Sequence, residues 1–221
     1  MRFIVREQPF EKPFAAGELR YLRDGQPTGA VEKWRVTTAN GYQFLRVDLD
    51  ARAAPSGHSY LYHALLNGNG RFERLKFRFW GDVNGNRLQV SGDIVFEETA
   101  ITAYRTVNGS TYEQVLPVPD ANHFWFPACL GLQYLGESCG TAVGLHTVNG
   151  QPLLVNSNGS EAFALFVVEM QATQQEDGAT CYHWHEQRRT VWRNAAGWVV
   201  KMERGDGLTA VAVRTIQYQS G

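Results

Sequence analysis

Along most of this chain apolar and polar side chains alternate with a period of two. That is the spacing of a strand with one face on a core and the other in water. In YQFLRVDLDA, Leu45, Val47 and Leu49 alternate with Arg46, Asp48 and Asp50, so the three charged residues are expected in solvent. Leu75, Phe77 and Phe79 share a face, with Arg74, Lys76 and Arg78 opposite. The following segment groups Leu88, Val90, Ile94 and Phe96, with Gln89, Ser91, Asp93 and Glu97 outward. YQFLRV and SYLYHALL are apolar on both faces and imply a sheet with two packed surfaces. Residues 163–170, FALFVVEM, predict a central strand covered on both sides, and residues 2–5 a short strand.

Turn chemistry joins these strands. Asn-Gly pairs occur at 40–41, 67–68, 69–70, 84–85, 108–109, 149–150 and 158–159, and Asp-Gly pairs at 24–25, 177–178 and 206–207. Both central residues of a type I′ turn need positive φ, which Asn and Asp tolerate and Gly adopts freely. The chain therefore reads as all-β with one short helix, a long antiparallel meander curled into a β-roll, half-barrel or barrel. No linker or low-complexity block divides it, so residues 1–221 form a single domain.

The pattern breaks between residues 110 and 148, where no such dipeptide occurs. Residues 123–140 lose the alternation, Pro127 suits the first turn of a helix and Gly136 its end. This segment is expected to be a helical or irregular flap, either a lid or a plug at one end of the sheet.

A length of 221 residues fits one all-β unit, and 43% hydrophobic residues supply a sizeable core. Twenty-one basic against 22 acidic residues give no global pull toward nucleic acid or anionic membrane, so no nucleic-acid partner is expected. Three cysteines, Cys129, Cys139 and Cys181, are not a disulfide framework, although a single Cys129–Cys139 bridge stays open. Charges interrupt the opening MRFIVREQPF, and no stretch has transmembrane length. The expected location is the cytoplasm.

Candidate chemistry is sparse. Cys181, His183 and His185 share one strand face, and thiolate and imidazole are ligands that zinc prefers. Three successive same-face positions span about 13 Å, too far to meet one ion unless the strand bulges; two of them would need a ligand from another strand, such as His63 or His123, and no metal or cofactor is assigned. His183 and His185 are weak catalytic candidates for a hydrolase or isomerase, with or without zinc. Ser56, His58 and Ser59 lack the Gly-x-Ser-x-Gly elbow and read as turn chemistry. Arg74, Lys76 and Arg78 read as a solvated basic row paired with Glu73, Asp93 and Glu97. Aromatic residues exceed what one sheet face needs, so a curled sheet would enclose either side chains or a ligand. Tyr60, Tyr62, Trp80, Trp125, Phe126 and Trp184 are the expected walls of a ligand site, with His123 and His183 as polar anchors.

Gly17-Glu-Leu-Arg-Tyr21, the Asp24-Gly25 hairpin, Trp34 and the long meander resemble the spiral β-roll or half-barrel proteins. These include the bacterial lipoprotein carriers and a related cytoplasmic family described as glycolipid-binding. The resemblance implies a curved antiparallel sheet with an apolar concave face, closed by a helical segment that residues 127–135 would supply. It carries over no functional residue. The reading is a non-catalytic binding protein for a hydrophobic or amphiphilic small molecule, such as a lipid or glycolipid.

Overall fold

The structure, a computed structural model, describes residues 1–55, 57–83, 86–117, 123–136, 140–145, 147–148, 151–152, 161–184 and 187–218. Strands β1 (Lys12–Arg23), β2 (Gln26–Ala39), β3 (Tyr42–Ala51) and β4 (His58–Leu66) are followed by β5 (Phe72–Val83), β6 (Asn86–Phe96), β7 (Ala100–Val107) and β8 (Ser110–Pro117). After β9 (His123–Trp125) comes a 3-10 helix, Leu130–Tyr134, then β10 (Gly140–Leu145), β11 (Thr147–Val148) and β12 (Gln151–Pro152). The last strands are β13 (Leu165–Gln174), β14 (Thr180–Trp184), β15 (Gln187–Arg193), β16 (Val199–Arg204) and β17 (Leu208–Gln217). Fifteen of them make one sheet in the order β8 to β1, then β17 to β13, β10 and β9. Every pairing is antiparallel except the three-residue β9–β10 contact, and β11 pairs only with β12.

The turns follow their chemistry. Asp24-Gly25, Asn40-Gly41 and Asn108-Gly109 have positive φ at both residues, as a type I′ turn requires. At 69–70, 177–178 and 206–207 only the glycine does. The pairs at 84–85, 149–150 and 158–159 lie outside the described residues.

The sheet is not closed by a backbone ladder, yet its β8 edge meets the start of β13. Gln114 Nε2 donates to Leu165 O (2.9 Å), and Leu165 N donates to Gln114 Oε1 (2.8 Å), so one side-chain amide stands in for a strand partner. Beside it Arg105 Nη1 donates to Ala162 O. The curled interior is largely aromatic. Tyr60, Phe77 and Phe79 pack around Phe163, and Tyr62 packs on Phe126. Two glycines make room for this core. A Cβ on Gly17 would stand 2.4 Å from the Trp34 ring, and one on Gly92 2.2 Å from Phe77, its register partner.

Residues 1–11 form no strand, which corrects the expectation for residues 2–5. They cross the outer face of β2–β4 instead. Arg2 grips Asp48 (Nη2–Oδ1 2.6 Å) and Ser59, and Arg46 donates to Val5 O and Glu11 Oε1. Arg46 and Asp48, expected in water, are therefore buried, and β3 and β4 acquire the second packed surface that their apolar patterns require. β13 departs from expectation too. Phe166, Val168 and Met170 turn inward, while Val167 is exposed, because this strand has only the curled interior to pack against.

The segment from β9 through the 3-10 helix lies inside the curl. Glu32 on β2 accepts from the backbone N–H groups of Cys129 and Leu130 (2.8 Å each), and Tyr62 on β4 donates to Pro127 O. From the other half of the sheet, Tyr182 donates to Leu135 O, and Gln133 is bonded to Gly197 O and Val199 N. A segment tied to both halves, with Leu130 and Leu132 buried, is an internal wall and not an outer lid.

Candidate functional site

At one end of the curl, beside this wall, the interior opens into a cavity of about 540 Å³, within the range of small-molecule sites. Exposed Arg23, Gln26, Pro27 and Pro55 line its mouth. Deeper in, Leu49, Tyr60, Cys129, Leu132 and Met202 make an apolar surface. Apart from the Pro55 loop and the inner segment with Cys129 and Leu132, the lining comes from β1, β2, β3, β4, β15, β16 and β17, gathered at one rim.

Beneath the cavity is a buried polar cluster. Tyr21 Oη donates a short hydrogen bond to Glu32 Oε2, and both receive the Cys129 N–H. Burial raises the Glu32 carboxyl above its usual range, although Tyr21 and the two backbone N–H groups oppose the shift. Burial and the Glu32 charge push the Tyr21 hydroxyl and the Cys129 thiol up. The cluster therefore keeps its hydroxyl and thiol protonated and anchors the inner segment to β1 and β2.

The cationic side chains that reach the cavity are Arg23, Arg189 and Arg204. Arg189 on β15 and Arg204 on β16 are directly opposed, and both line the site. Arg204 forms a bidentate pair with Asp206 (2.6 and 2.5 Å), and Arg23 donates to the same residue's carbonyl (2.8 Å). The Arg204 hydrogen bonds hold the Asp206 carboxyl well below the usual range. His58 also lines the site, with its ring edge-on to Tyr60 at 5.0 Å.

Comparison with protein-family models, with curated proteins and with solved structures gave no match. The geometry therefore stands by itself. Among the described residues no helix is long and apolar enough to cross a membrane.

Of the expected wall residues, Tyr60 and Trp125 line the cavity. Trp184 stands behind Trp125, with ring centroids 5.6 Å apart, and lines only a crevice of about 10 Å³. Tyr62 packs against Phe126 of the inner segment in the aromatic core, and neither lines the hollow. Trp80 lies on the outer face beneath Arg2, because its neighbour Phe79 takes the inward position. His123 accepts the Gly136 N–H on its Nδ1 and serves the turn after the 3-10 helix.

The Cys181 strand also divides by face. Thr180, Tyr182 and Trp184 are buried with the interior, while Cys181 and His183 meet on the outside, Sγ to Nε2 3.2 Å. Arg188 Nε donates to the same sulfur (3.3 Å), and Thr190 lies alongside. Cys129 and Cys181 are free thiols; His185, Cys139 and Ser56 lie outside the described residues. Among the described residues no three His, Cys, Asp or Glu side chains cluster as a metal site. Ser59 points outward to Arg2 while His58 points into the cavity, as adjacent strand positions must. In the basic row Arg74 and Lys76 pair with Asp93.

Arg23, Arg189 and Arg204 went unseen in the sequence because they stand 15 to 181 residues from one another. Parity holds the usable signal: Arg189 shares a face with Val191, and Arg204 with Met202, both buried.

Proposed function

We propose that this is a non-catalytic binding protein that holds a hydrophobic or amphiphilic small molecule, of lipid or glycolipid type, within the curled sheet. The observation that carries the reading is the apolar cavity, open at a rim of strand ends and backed by a wall bonded to both halves of the sheet. Apolar walls with a few placed polar groups suit such a ligand. The same features support the resemblance to the half-barrel carriers. The free Cys129 and Cys181 agree with a cytoplasmic location, and no nucleic-acid partner is proposed. Native mass spectrometry of the purified protein, followed by organic extraction, tests the reading. A co-purifying apolar molecule is expected, and its loss on replacing Met202 by Arg. Failure of every apolar probe to bind would sink it.

A second reading, a hydrolase or isomerase working through His183, has the 3.2 Å Cys181–His183 contact in its favour. Hydrolysis of activated esters that disappears in both C181A and H183A is its required result.

A further inference from the structure

This inference rests on the cavity being a ligand site and concerns the chemistry at its mouth. Arg189 and Arg204 face each other across β15 and β16, and like charges directly opposed destabilise a strand pair. Arg204 and Arg23 both turn to Asp206, so two of the three guanidinium groups share the one carboxylate. Arg189 is left with two neutral acceptors, Arg188 O (2.8 Å) and Gln187 Oε1 (3.0 Å), and with the Trp184 ring, 5.3 Å from its guanidinium carbon. Among the described residues no carboxylate forms an ion pair with it, and Asp24 in the neighbouring turn pairs with none of the three. Yet Arg189 is only 6% exposed.

A buried cation without a counterion is costly unless an anion meets it. Burial and the Arg204 charge push Arg189 down to about 9, at which it still carries its charge at neutral pH. A guanidinium presents a planar fork that fits two oxygens of a carboxylate or phosphate. Leu49, Leu132 and Met202 continue the same cavity as apolar wall.

We propose that the cavity takes an amphiphile with an anionic oxygen headgroup, a carboxylate or phosphate monoester, its head on Arg189 and its tail along Leu49, Leu132 and Met202.

Calorimetric titration of the full chain with dodecanoate, dodecyl phosphate, dodecanol and inorganic phosphate tests this. At least one anionic twelve-carbon probe is expected to bind roughly ten- to a hundredfold more tightly than dodecanol, the range of charge-assisted hydrogen bonds. R189M is expected to abolish that preference, and a cooperative urea-unfolding transition like that of the wild type shows that the variant is folded. Should R189M not fold, the wild-type preference alone decides. Dodecanol binding as tightly as both anions, or a preference that survives R189M, overturns the headgroup and leaves the apolar reading standing. Inorganic phosphate binding as tightly as dodecyl phosphate overturns the amphiphile. Binding of none of the tailed probes overturns the apolar reading itself, and the inference with it.

Discussion

Arg46 and Arg189 are both almost fully buried on strands of one sheet, and they are buried in opposite ways. Arg46 lies on the outer face under residues 1–11, where its guanidinium meets Glu11 at 2.8 Å, Thr37 at 3.0 Å and the Val5 carbonyl. Burial alone would raise the Glu11 carboxyl, but the bonds from Arg46 and Thr37 outweigh it and hold the group below its usual range. Arg189 lies on the inner face beside a hollow, with neutral oxygens and an indole for company. The first arginine is part of how the chain holds itself together. The second has no carboxylate partner among the described residues, and it is there that the proposed headgroup would sit.

The contrast makes the same substitution act differently at the two positions. R46M leaves the Glu11 carboxylate without its cation, with only the Thr37 hydroxyl and the Gln8 N–H as donors, and is expected to lower stability by about 3 kcal/mol, read from urea unfolding. The neighbouring His63 extends the comparison to pH. Its burial, reinforced by the Arg46 charge, lowers its pKa from 6.5 to about 4. Above pH 6.5 neither state binds the proton, so this group adds no pH dependence there. Between pH 6.5 and 4 the unfolded chain takes up a proton that the fold refuses, and stability falls by about 3 kcal/mol in total. A wild-type protein that keeps pace with H63L across this window would remove the argument.

Gly17→Ala pushes a Cβ into the Trp34 ring, and about 2 kcal/mol of destabilisation with a shift in tryptophan fluorescence is expected. Q114A removes both seam hydrogen bonds, for about 1 kcal/mol and faster amide exchange at Leu165. R189M comes last. Its expected change in stability is under about 1 kcal/mol, toward greater stability, because it removes an uncompensated charge. A loss as large as that of R46M would show that the two arginines do the same job.

Alternation and turn chemistry were enough to read the meander. Asn40-Gly41 and Asn108-Gly109 adopt the backbone their residue types favour, and Leu75, Phe77 and Phe79 face inward as their spacing requires. The same reasoning placed Arg46 and Asp48 in water, because a period of two divides a strand into faces without saying what crosses over each one. The crossing segment comes from residues 1–11, which have no periodicity to announce their position. The site was less legible for a related reason. Looking for a ligand wall among the surplus aromatics selected Trp80, which parity with Phe79 sends outside, and passed over arginines at strand ends. Which rim of a curled sheet stays open depends on where the inner segment lodges. Its anchor, Glu32, looks in sequence like any charged residue of a two-faced strand.

The Gln114 amide has a mechanical consequence. A cylinder joined all round by backbone ladders has a fixed circumference, whereas one fastened by a clasp can be let out. Two hydrogen bonds are within reach of thermal opening, so the sheet can widen at β8 and β13 while every ladder stays intact. The Arg105 bond to Ala162 O is the second catch of the same seam, so its opening takes two side chains and no strand.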